Sequence, residues 1–126
     1  MIFGIGIDLV QISRMEKILN RFGTKVCGKL LCEEEEDVFR NTKNKAKYLS
    51  SSFAVKEATV KAMGTGFSGG IFPRQIFYKR DGFGKPLLKT LGNTSLFLLE
   101  HKITSTHLSI SHDAGLVIAN VVLEII

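Results

Sequence analysis

The chain lacks any uncharged apolar run approaching the roughly twenty residues that a bilayer-crossing helix needs, which excludes a transmembrane architecture from the expectation. Its apolar opening, Met1 to Val10, carries Asp8 and no basic leader. That argues against a secretory signal, and the protein is expected in the cytoplasm. Cysteine is scarce: Cys27 and Cys32 stand in a segment without histidine, at neither zinc-site nor disulfide-framework spacing, and both read as reduced structural thiols. Internal repeats and low-complexity segments are missing too. A glycine-rich stretch, Gly64 to Pro73, lacks the Gly-Lys-Ser/Thr ending of a P-loop and follows a helix rather than preceding one, so the phosphate cradle of a helix N-terminus does not apply. A plain flexible connection and a mobile flap over a cofactor both fit it.

What is present suits one domain, residues 1–126, long enough to bury roughly two-thirds of its unfolded surface. Seventeen Lys and Arg against twelve Asp and Glu leave a formal charge of +5, which implies an anionic partner: nucleic acid, a phosphate-bearing cofactor or an acidic protein. A non-enzymatic nucleic-acid module is the alternative of a different class. Against it, the aromatics are mostly phenylalanines at buried spacing, and no nucleic-acid motif occurs.

The periodicities predict an α+β fold, a long central helix packed on an antiparallel sheet. Ile2 to Val10 alternates as a strand, with Phe3, Ile5, Ile7 and Leu9 on one face and Gly4, Gly6 and Asp8 on the other. The glycines would clear Asp8's face for the close approach of another backbone or of a ligand; Asp8 reads equally as a cap or turn former. A helix over 11–22 would bury Ile12, Met15, Leu19 and Phe22, leaving Arg14, Lys17 and Arg21 as a cationic ridge with Ile18 at its apolar margin. This is either a solvated face or a docking surface for an acidic helix. Glu33 to Arg40 reads as a short helix whose four glutamates complement its dipole and are exposed. Strands over 75–79 and 87–91 form a hairpin. A helix over 94–100 offers Leu96, Phe97 and Leu99 for burial. A last hairpin, 106–111 and 116–126, turns at Asp113-Ala114-Gly115, and its second strand, apolar on both faces, belongs at the centre of the sheet.

The central helix is expected from about Lys45 to a stop at Gly64, a residue suited to the left-handed closing position. Leu49, Phe53 and Val60 form its apolar stripe, with Glu57 and Lys61 along one edge; Ala54 beside them leaves room for a ligand to approach. Glu57 and Lys61 also read as an ordinary helical pair worth about 0.2–0.5 kcal/mol. His112, at a strand end, is either a satisfied structural residue or a group projecting into a cleft.

Four pieces stand together in order: Gly4-Ile5-Gly6-Ile7-Asp8, Phe53-Ala54-Val55-Lys56-Glu57-Ala58, Lys61-Ala62-Met63-Gly64-Thr65-Gly66, and Ser109-Ile110-Ser111-His112. In this set, and in Gly84-Lys85-Pro86, the chain resembles the holo-[acyl-carrier-protein] synthases, the short bacterial type of 4′-phosphopantetheinyl transferase. The resemblance implies magnesium-dependent transfer of the phosphopantetheine arm of coenzyme A to a serine hydroxyl of apo acyl carrier protein, releasing adenosine 3′,5′-bisphosphate, in support of fatty acid biosynthesis. It implies Asp8 and Glu57 as metal-binding carboxylates and Lys61 as a phosphate-side catalytic lysine. Gly64 and His112 would lie near coenzyme A, and Arg14, Lys17, Ile18 and Arg21 would dock the acidic, helical carrier. A homotrimer with sites between subunits is also implied; a transferase serving a peptide-synthetase carrier remains a variant of the same reading. Many relatives carry arginine where this chain has Ser52, so a cationic contact to the nucleotide or the partner is either missing here or supplied by another residue such as Arg74.

Overall fold

The computed structural model describes residues 1–126. Strand β1 (Ile2–Gln11) runs into helix α1 (Ile12–Phe22), followed by α2 (Lys25–Leu30), α3 (Glu33–Asn41) and the long α4 (Lys45–Met63). A 3-10 turn (Pro73–Gln75) leads to the hairpin β2 (Ile76–Arg80) and β3 (Pro86–Thr90), then α5 (Gly92–Glu100) and the hairpin β4 (Ile103–Asp113) and β5 (Leu116–Ile125). Two antiparallel sheets result, one ordered β1-β5-β4 and the other β2-β3. No helix is long and apolar enough to cross a membrane.

Helix α4 begins where Asn44 accepts the Lys47 backbone N–H and ends at Gly64, whose φ of 79° closes it in the left-handed conformation. The β4–β5 turn places Ala114 and Gly115 at φ 51° and 77°, the paired positive values of a tight hairpin whose twist matches its strands. Strand β5 is central, as expected, but one face alone is buried: Val117, Ala119, Val121 and Leu123 meet α4, while Ile118 is open.

Strand β1 decides between the two readings of its glycines. Ile5, Ile7 and Leu9 are 59, 59 and 57% exposed, and it is the glycine face that packs inward. A Cβ on Gly4 would lie 1.9 Å from the Ala62 carbonyl oxygen, and one on Gly6 would lie 1.7 Å from that of Ala58. The glycines therefore admit the backbone of α4, not a ligand. Ala54 is also fully buried in the core, so no approach to Glu57 opens there.

Other corrections follow from burial. Phe22 is exposed beneath the Arg21 guanidinium, 5.2 Å from its ring centroid. In α5, Leu96 and Leu99 face outward while Thr94, held by Gln75, is buried. Among the four consecutive glutamates Glu35 is 2% exposed, because its carboxylate meets fully buried Lys56 at 2.6 Å. The remaining residues of that run fan outward as helical geometry requires.

Candidate functional site

Three elements converge on one cleft of about 210 Å³. Strand β1 brings Asp8, α4 brings Glu57 and Phe53, and α1 brings Arg14, Met15 and Ile18. The two acidic residues, 49 positions apart in the chain, thus face a common cavity. The cause is local: β1 can lie against α4 only through Gly4 and Gly6, and Asp8 is the next residue on that inward face, where a side chain again finds room.

Lys61 does not pair with Glu57. Its Nζ reaches across to β1, donating to the Ile7 carbonyl at 3.0 Å and to Asp8 Oδ1 at 3.1 Å. The helical pair predicted from spacing is replaced by a tertiary contact, and Glu57 is left without a hydrogen-bonded partner. Partial burial and the Asp8 charge beside it push the Glu57 carboxyl up from its ordinary range, with Lys61 opposing. A second opening, lined by Ile7, Asp8, Leu9, Lys61 and Ile118, continues from Asp8 onto the exposed apolar face of the sheet.

This is a donor set of two hard carboxylates with no third acidic, histidine or cysteine ligand beside them. Magnesium suits it, since that ion is bound through one or two carboxylates and fills its shell with water and phosphate oxygens. A structural zinc site, which needs four protein ligands, does not. The excess negative charge of Asp8 and Glu57, and the raised pKa of Glu57, are what a cation would relieve.

Gly64 lies beyond Lys61 and borders a separate cleft of about 490 Å³ with Thr65, Ser68, Gly69 and Asn93. Lys17, Ile18 and Arg21 share the exposed side of α1 with Arg14, but only Arg14 and Ile18 of these four reach the acidic cleft. His112 sits exposed near the end of β4, paired with Val117, and does not line the cleft of Asp8 and Glu57 within one chain. Arg74 lines a separate cleft of about 780 Å³ with Lys29, Glu33 and Phe72. Ser52 is turned into the interior, where it donates to Glu35.

Phe53, assigned from sequence to the core stripe, is half-buried and forms part of the cleft wall. Its position four residues before Glu57 was the available signal, because such residues share a helix face.

A family model described as the 4′-phosphopantetheinyl transferase superfamily matches residues 4–121. A holo-[acyl-carrier-protein] synthase of Trichlorobacter lovleyi is 42% identical over 124 residues, covering 98% of each chain. Among solved structures, the holo-[acyl-carrier-protein] synthase of Neisseria meningitidis superposes with a TM-score of 0.93 at 37% identity, over 98% of this chain and 99% of that one. That of Bacillus anthracis, in complex with CoA (3′,5′-ADP), gives 0.82 at 35% identity, over 100% and 99%.

Proposed function

The chain belongs to the 4′-phosphopantetheinyl transferase superfamily, within its holo-[acyl-carrier-protein] synthases, and from that premise we propose the reaction and the residues that carry it. Residues 1–126 act as a single transferase domain that moves 4′-phosphopantetheine from coenzyme A to a serine hydroxyl of apo acyl carrier protein. The serine oxygen forms a bond to the phosphorus bearing the pantetheine arm. The bond from that phosphorus to the bridging oxygen breaks, and adenosine 3′,5′-bisphosphate leaves with the electron pair.

The observation that carries this reading is the cleft shared by Asp8 and Glu57, with Lys61 bonded to Asp8. Asp8 and Glu57 would hold magnesium, which when bound offsets the charge of the pyrophosphate. Lys61, 52% exposed, has the freedom to swing from Asp8 toward a phosphate oxygen and stabilise charge on the departing group. Glu57, with its free lone pairs, is suited to take the serine proton directly or through one water. Gly64 and the cleft beyond it would receive coenzyme A. Arg14 and Ile18, on the wall opposite Glu57, would set the carrier's serine at the cleft, while Lys17 and Arg21 steer its acidic helix onto α1.

The exposed row of Ile5, Ile7 and Leu9, with Ile118 at 39%, supports a homotrimer in which these faces cover one another. His112 would then serve coenzyme A held by a neighbouring copy. The compartment is the cytoplasm, and the product supplies fatty acid biosynthesis.

The test is direct. Incubated with apo acyl carrier protein, coenzyme A and magnesium, the protein should raise the carrier's mass by one phosphopantetheine, and chelation should stop the gain. An unchanged carrier mass, with an authentic transferase succeeding in parallel, rejects the proposal.

A further inference from the structure

Helix α4 is buried on nearly every side. From Leu49 to Met63 only Phe53, Glu57 and Lys61 are not fully buried, and they lie along the edge that meets the acidic cleft. A helix with an apolar stripe is oriented by that stripe; a helix buried all round carries no such instruction about its rotation. Contact with β1 adds little. At its closest it is Gly4 and Gly6 against Ala58 and Ala62, small residues that hold the two backbones close without ridges to resist turning, and the bonds that Lys61 adds to Ile7 and Asp8 are exposed.

The buried directional contacts to other elements lie about 100 to 140° around the helix from Glu57, where Lys56 and Ser52 sit one turn apart. Lys56, fully buried, donates to Glu35 Oε1 at 2.6 Å and also to the Ile76 carbonyl at the start of β2. Ser52 donates to Glu35 Oε2, and the Cys32 backbone N–H donates to Glu35 Oε1 at 3.1 Å. Glu35 thus joins α4 to the N-terminus of α3, and Lys56 joins it to β2. No buried side-chain polar atom in the chain lacks a partner, so the network is closed.

We propose that Glu35 and Lys56 are positioning residues of the transferase site: together they fix the rotation of α4, and with it the direction in which Glu57 and Lys61 face Asp8. This rests on the function proposed above. The lever is short. With side chains reaching a radius of about 5–6 Å, a rotation of about 10° displaces a side-chain tip by about 1 Å. Misplacement on that scale costs catalysis up to about a hundredfold. Neither residue touches the cleft, so their effect must pass through Glu57 and Lys61.

The experiment separates positioning from stability by comparing Glu35→Gln with the double variant Glu35→Gln, Lys56→Met. The single variant leaves a buried ammonium without its counter-charge and should melt early. In the double variant no buried charge remains. The amide that replaces the Glu35 carboxylate still accepts from the Cys32 N–H and can donate to the Ser52 hydroxyl, so the thermal midpoint should return close to that of the parent. Positioning predicts that the double variant nonetheless keeps a kcat about ten- to a hundredfold low, with carrier KM within about twofold. Its coenzyme A binding by calorimetry should need about tenfold more magnesium. A double variant with parental melting, parental kcat and parental magnesium midpoint overturns the proposal. So does one that does not fold, because the pair is then a requirement of folding itself. Absence of transfer by the parent protein is a different outcome, which sinks the functional reading rather than this one.

Discussion

Helix α4 makes two lysine–carboxylate contacts with opposite characters. Lys56 and Glu35 meet at 2.6 Å with side chains 0 and 1% exposed, and each buried polar atom of the pair has its partner within the chain. Lys61 and Asp8 meet at 3.1 Å with side chains 52 and 15% exposed, and Glu57 beside them is bonded to nothing. The closed pair can only hold shape, since there is no vacant position for a ligand. The open pair contributes little to stability at such exposure and leaves carboxylate oxygens free for the cation proposed above. One helix therefore keeps its structural and its chemical charges on separate sides.

Glu57→Gln tests that division most severely. Losing a charged ligand at the reacting centre should lower kcat by about 10² to 10³, read as carrier mass gain in single turnover. The fold should gain. Because burial and Asp8 raise the Glu57 pKa, its ionised form costs stability above that pKa, and the cost disappears below the ordinary carboxylate value of 4.5. The variant should melt above the parent at neutral pH, with the difference closing as pH falls through the raised pKa toward and below that value. A variant that melts lower at pH 7 while transferring normally would merge the two sides again.

Breaking each contact by its lysine sharpens the same contrast. Lys56→Met strands the Glu35 carboxylate in the interior and should cost about 3–5 kcal/mol in urea unfolding. Lys61→Ala should cost under about 1 kcal/mol, yet lower kcat by about tenfold or more. Equal losses of stability would show that exposure is not what distinguishes them. The smallest effect is expected at the rim of the open side: Arg14→Glu should raise the carrier KM about tenfold at low salt, with kcat little changed and the difference shrinking as salt screens it.

The positions of these contacts were unequally legible in the sequence. The bounds of α4 could be read because Gly64 supplies a stop, and the meeting of Asp8 with the Glu57 face followed from ordered motifs. The buried pair could not: Glu35 lies in a run whose other glutamates are exposed or half-buried, and its partner is 21 residues away, so nothing local marks it. Helix α2, six residues placed by tertiary packing of Cys27, lacked a readable period. The orientation of β1 was not legible, for a physical reason. Alternation shows which residues share a face, but not which face the fold covers, and here backbone contact selected the glycines.

That contact between β1 and α4 has a consequence for how the protein tolerates change. With main chain meeting main chain, no layer of interchangeable side chains lies between the carbon skeletons that carry Asp8 and Glu57. Valines and leucines elsewhere in the interior can drift in size from one lineage to the next without widening the gap between those two acids. The spacing is inherited through two hydrogen atoms, one on Gly4 and one on Gly6, where a methyl group would force strand and helix apart.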